Sequence, residues 1–102
     1  MNAPEITLLV RFKSKLPLDE VMKIAEERAP EFAALEGLQQ KYYLQEAATG
    51  EIGGLYLWES AQAFDAYRES ELRKSIALAY QAEGEPRIEV YRVVKTLRED
   101  SP

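Results

Sequence analysis

The run Ile6–Phe12, ITLLVRF, is apolar at almost every position. A strand with one solvated face alternates apolar and polar residues, so a run of this kind is read as buried on both faces. Leu55–Trp58, LYLW, has the same character. At 102 residues the chain is long enough for one domain with one modest core. A single small layer of helices covers only one face of a sheet, so the second cover must come from elsewhere. The expected solution is a symmetric homodimer with the two sheets face to face.

Between these runs the residues predict a definite order of elements. After the first strand, Val21, Ala25, Arg28 or Ala29, Phe32 and Leu35 recur at helical spacing. Pro30 interrupts that pattern and predicts a kink or break near Ala29, and Gly37 ends it. Leu38–Ala47 reads as a second strand, ATGEIGG as a turn, and Leu55–Glu59 as a third strand completing a hairpin. Gly53 and Gly54 are read as turn-and-bulge chemistry or as room for a close-packed neighbour. Ser60 is a helix N-cap, followed by Ala61, Phe64 and Tyr67 on one face. Ser70 caps a further segment with Leu72, Ile76 and Ala79 or Tyr80 inward. Gly84–Pro86 predicts a turn, and a last strand then runs to about Leu97, before a polar tail. Strand, helix, strand, strand, helix, strand is the split βαβ order of an α+β ferredoxin-like sandwich, here a single domain over residues 1–102.

Charge and missing residue types narrow the chemistry. Thirteen Lys and Arg against 18 Asp and Glu give a net charge of -5, which repels polyanions, so no nucleic-acid partner is expected. With no cysteine there is no disulfide or thiolate, and with no histidine the commonest metal ligand and general base is missing. No metal site is expected, and chemistry falls to Tyr, Arg, Lys, Glu or Asp. The N-terminus lacks a signal-peptide pattern and no window reaches the ~20 apolar residues of a membrane span, giving a cytoplasmic, non-membrane expectation. EERAPE and RESELRK read as solvated helix faces.

Several side chains stand out. Tyr56 and Trp58 share one face of their strand, lining a pocket or packing in the core. Tyr42 and Tyr43 are adjacent, so one faces the helices and the other the opposite side. Phe64 and Tyr67 lie inward on their helix, as pocket roof or plain core. Arg11, inside an apolar strand, needs either a partner carboxylate or an anionic ligand, and Arg92 raises the same question more weakly.

Gly37–Phe64, GLQQKYYLQEAATGEIGGLYLWESAQAF, resembles the YdhR-type monooxygenase family of the dimeric α/β-barrel superfamily, related to the antibiotic-biosynthesis monooxygenases. The matching pieces are Gly37 and Leu38, KYYL at Lys41–Leu44, Gly50, and GGLYLWES at Gly53–Ser60. The resemblance implies a ferredoxin-like subunit pairing into a dimeric α/β barrel, with a pocket between sheet and helices. It also implies a cofactor-independent monooxygenase acting with O2 on a planar aromatic or phenolic small molecule. Under that scheme Tyr56 and Trp58 hold the ring system beneath Phe64 and Tyr67. Tyr43 or Tyr42 bonds a substrate oxygen, and Arg11 stabilises negative charge. No residue is assigned as the base. A non-catalytic small-molecule-binding or stress-related module on the same fold needs the pocket but no base. A haem-degrading relative would lack its proximal histidine.

Light scattering on dilute protein is expected to give twice the chain mass; a monomer would overturn the sheet-to-sheet dimer.

Overall fold

The computed structural model describes residues 3–98. Its elements are β1 (Ile6–Ser14), α1 (Leu18–Ala33), β2 (Leu38–Gln45), β3 (Ile52–Trp58), α2 (Ala61–Arg68), α3 (Glu71–Lys74), α4 (Ile76–Ala79) and β4 (Ala82–Arg92). The strands form one antiparallel sheet in the order β2-β3-β1-β4. This is the ferredoxin-like α+β fold expected from the element order. The polar tail expected past residue 98 lies outside the described residues.

Register decides which side chains share a face. Leu8, Val10 and Phe12 of β1 stand opposite Tyr56, Gly54 and Ile52 of β3, and all six point toward the helices. There the apolar side chains pack against Val21, Ala25 and Phe32 of α1, Phe64 and Tyr67 of α2, and Ile76 and Tyr80. The alternate positions, Thr7, Leu9 and Arg11 opposite Leu57, Leu55 and Gly53, form the other face. None of the described helices covers that face, although Leu9, Leu55, Tyr42 and Leu44 lie on it.

The helix starts follow the sequence. Ser60 Oγ accepts the Ala63 N–H at 3.1 Å and Ser70 Oγ accepts the Arg73 N–H at 3.1 Å. Ser70 Oγ also donates to the Tyr67 carbonyl, so the break between α2 and α3 is held from both sides.

Four expectations are corrected. The first helix runs through Ala29 and Pro30 to Ala33 without interruption. Phe32, beyond the proline, is buried in the core and holds that last turn in place. Gly84–Pro86 lies within β4 and makes no turn. There the pairing shifts from Arg11–Arg87 to Lys13–Glu83, so two steps of β1 oppose four of β4, with Gly84 at φ +77. The last strand ends at Arg92, short of Leu97. Gly53 and Gly54 are regular residues of β3, with no bulge on their strand; the hairpin turn lies at 46–51, where Glu46 bonds the Ala48 and Thr49 amides.

Gly37 ends the α1–β2 connection at φ +82, where a Cβ would sit 2.4 Å from Ala63 Cβ of α2. Gly50, at φ +77, has nothing within 4 Å of the same position. Gly37→Ala is therefore expected to cost about 2–4 kcal/mol, strain plus overpacking, and Gly50→Ala about 1–2 kcal/mol, strain alone. Equal urea midpoints for the two variants would overturn this account.

Candidate active site

The site begins with one extra residue in β2. Leu38 pairs with Trp58 and Gln40 with Leu57, so two steps of β2 match one of β3 and the alternation of side chains reverses at Gln39. Beyond this bulge Lys41 stands opposite Tyr56 and Tyr43 opposite Gly54, on the helix side. Tyr42 stands opposite Leu55 on the other face.

Lys41 is thereby pushed under α1 among aromatic rings. Its Nζ lies 3.5 Å from the centroid of Phe32, 4.5 Å from Tyr43 and 4.6 Å from Tyr56. No described carboxylate lies within ion-pair distance of it. Ring faces attract an ammonium, but loss of water and the positive Arg28 nearby work against the charge. Burial first, then Arg28, lowers its pKa to about 7. Gly54 makes room for this arrangement: a Cβ there would fall 3.1 Å from Tyr56 Cε1 and 3.3 Å from Lys41 Cε.

The tyrosines shift the opposite way. Burial raises Tyr56 and Tyr67, whose hydroxyls are bonded to each other at 3.3 Å, Tyr67 donating. Burial also raises Tyr43, against the opposing pull of Arg28, and pushes Tyr80 up to about 12. The Tyr80 hydroxyl is buried with no hydrogen-bond partner among the described residues. Arg28 is held by a 2.6 Å bond from Nη2 to Ser75 Oγ, its guanidinium 5.9 Å from the Phe32 centroid and 6.0 Å from that of Tyr80. At neutral pH the site thus combines a readily deprotonated amine, protonated phenols and a fixed positive charge.

Two spaces meet at Lys41 and Tyr43. Inside, an apolar cavity of about 20 Å³ is bordered by Val10, Phe12, Ile52, Ile76, Tyr56 and Tyr80. That holds one water molecule or a diatomic. Outside, a groove of about 340 Å³ runs between the end of α1 and the start of β2, bordered by Ala29, Phe32, Leu38 and Gln40.

Of the residues singled out in the sequence, Tyr43 and Tyr56 border the inner cavity. Tyr42 and Arg11 do not join them, because strand parity puts both on the opposite face. Arg11 has a carboxylate partner there, Glu51 at 3.8 Å. Trp58 has no exposed surface and borders neither space. It stacks on Tyr56 at 6.3 Å and 3°, with Tyr67 at 5.0 Å and Phe64 at 6.4 Å. Trp58, Phe64 and Tyr67 are the packing behind Tyr56, and Tyr67 fixes its hydroxyl. Sequence reasoning passed over Lys41, Tyr80 and Arg28 as site residues. Arg28 could have been found as a charge at a core-facing helical position. Lys41 carried no such signal, because plain alternation from Leu38 puts it on the wrong face.

Among the described residues no helix is long and apolar enough to cross a membrane, and no three Asp or Glu side chains form a metal-binding group. The family model "Putative mono-oxygenase ydhR" matches residues 7–99. No curated protein sequence matches the chain. Among solved structures, SnoaB, a cofactor-independent oxygenase from Streptomyces nogalater, is 20% identical over 95% of this chain and 100% of its own, with a TM-score of 0.73. The monooxygenase of the gene ActVA-Orf6 of Streptomyces coelicolor, in complex with Nanaomycin D, is 17% identical over 95% and 94%, with a TM-score of 0.70. At these identities the structural likeness establishes the fold.

Between pH 7 and the ordinary lysine pKa of about 10.4, unfolded chains carry a proton on residue 41 that the folded protein lacks. Lys41 therefore makes stability rise with pH across that window, and below pH 7 its full penalty is present. Lys41→Met is expected to be more stable than wild type at pH 6, with the difference shrinking toward pH 10. A pH-independent difference in denaturant midpoints, or no lysine Cε resonance titrating near pH 7, would overturn this.

Proposed function

The chain belongs to the ydhR mono-oxygenase family, and on that premise we propose that it oxidises an electron-rich phenolic or enolic aromatic molecule with O2 and no cofactor. The observation that carries this reading is the Lys41 amine, desolvated and without a counter-ion among the described residues, beside tyrosines that keep their protons. Paired groups driven in opposite directions are the mark of an assigned base and assigned donors. The fold shared with SnoaB, described as a cofactor-independent oxygenase, supports the same reading.

The aromatic body lies in the outer groove against Phe32, with its acidic C–H or O–H directed between Lys41 and Tyr43. Lys41 takes the proton as general base. The anion is then held by the new ammonium, by the field of Arg28 and by a hydrogen bond from Tyr43, which borders both spaces, while Tyr80 borders the inner cavity. A carbanion of this kind passes one electron to O2, which fits the inner cavity, and the radical pair recombines to a peroxide. Lys41 returns its proton to the peroxide, and loss of water leaves a carbonyl. In sum, a ring methylene and one O2 become a ring carbonyl and one water: the carbon is oxidised, and both oxygen atoms are fully reduced. One oxygen atom enters the substrate and the other leaves as water.

A second copy of the chain is the proposed cover for the open sheet face. Leu9, Leu55, Tyr42 and Leu44 supply a continuous apolar surface there.

The test is oxygen uptake by metal-stripped protein against anthrones, hydroquinones and polycyclic phenols. Wild type is expected to consume O2 with a rate rising through pH 7, and Lys41→Met to lose about 100-fold or more. Equal rates in Lys41→Met would remove Lys41 from the mechanism. Binding of the panel without uptake would make the protein a binding module.

A further inference from the structure

A separate cleft opens on the far side of Val10, between the α2–α3 corner and the inner face of the edge strand β4. Its volume is about 250 Å³, just below the ~300–1,000 Å³ of small-molecule sites. Its floor is Leu8, Val10, Ile88 and Val90, with Phe64 as one wall. Leu8 and Val10 are buried, but Ile88 and Val90, their partners across β1–β4, remain 43% and 46% exposed. The short helices leave these two apolar side chains only partly covered on the helix side.

The polar residues at its border are Arg68 and Arg73. In an unbroken helix residues five apart point in widely different directions; the break at Ser70 lets both guanidiniums reach one cleft. Arg68 has Asp65 and Glu69 at 3.6 and 3.9 Å, exposed pairs that bind it weakly. Arg73 is half-buried, and its guanidinium makes no ion pair or hydrogen bond among the described residues. In a chain of net charge -5, a cleft whose charged border is wholly arginine selects for negative charge. An adjoining trough of about 110 Å³ shares Val10, Arg73 and Ile88 and runs toward Pro86; its border also carries Lys74 and Glu85, so the all-arginine border is that of the cleft itself.

We propose that this cleft is a second ligand site, distinct from the Lys41 site, that binds a small aromatic or aliphatic monocarboxylate with its apolar body on Ile88 and Val90 and its carboxylate on Arg73. The planar guanidinium fork suits a carboxylate in a two-pronged contact, and Arg68 adds a second positive charge at the mouth. This site stands independently of the oxygenase reading, because it uses none of the groups assigned to oxidation.

The probe is 2-naphthoate, with uncharged 2-naphthalenemethanol as the matched control, followed by calorimetry and backbone amide shifts. Naphthoate is expected to bind at least tenfold tighter than the alcohol and to move the amides of Phe64, Arg73, Ile88 and Val90. Arg73→Gln is expected to weaken it about tenfold or more, the scale of a lost charge-assisted contact. Lys41→Met is expected to leave this binding unchanged. Equal affinity for the alcohol, or no effect of Arg73→Gln, would overturn the proposal. Loss of binding in Lys41→Met alone would also overturn it, and would leave the oxygenase reading standing. Ile88→Glu, which puts a negative charge on an exposed floor position, is expected to abolish naphthoate binding in a folded protein; retained binding would overturn the placement.

Discussion

The pairing of β2 with β3, and the single extra residue at Gln39 within it, is the constraint on which the rest of the site depends. A one-residue change of register exchanges every side chain between the two faces of a strand. Here it turns Lys41 and Tyr43 toward the helices and Tyr42 and Leu44 away from them. Without it the cavity would have glutamine and tyrosine at its edge and the amine would be in water. Gly54 completes the constraint, since the space a side chain would take is occupied by the Lys41 stem and the Tyr56 ring.

The aromatic cluster behind the site acts on its chemistry through burial. Tyr56 is held between Trp58, Tyr67 and Phe32, so its hydroxyl is far from water and keeps its proton. The same exclusion of water makes the Lys41 ammonium costly. One packing arrangement therefore pushes amine and phenols in opposite directions. Arg28, fixed by Ser75, adds to the effect of burial on Lys41 and opposes it on Tyr43, Tyr67 and Tyr80, where burial still prevails; the amine is left as the group that titrates near pH 7.

Much of the fold was legible in local pattern. The apolar runs, the serine caps at Ser60 and Ser70, and the helical spacing of Val21, Ala25 and Phe32 each rest on neighbours a few residues apart. The misreadings share a cause. Pro30, Gly53–Gly54 and Gly84–Pro86 are all breakers or turn formers locally, and in each place pairing or burial across the fold overrode that preference. Which of Tyr42 and Tyr43 faces the helices, and on which face Arg11 lies, stays open in a single sequence because it does not supply the parity of one strand relative to another. Trp58 fits both pocket lining and core packing in the sequence, because aromatic character is common to stacking sites and to cores.

By itself the sequence determined the element order, the family resemblance, and a chemistry without histidine or cysteine, because these depend on residue identity and on contacts close along the chain. It left open which residues face one another. The lysine among rings, the Tyr80 hydroxyl without a partner among the described residues and the arginine-bordered cleft each join elements distant in sequence. Only the tertiary structure decided them, since electrostatics and burial at a point depend on everything packed around it and local pattern records none of that.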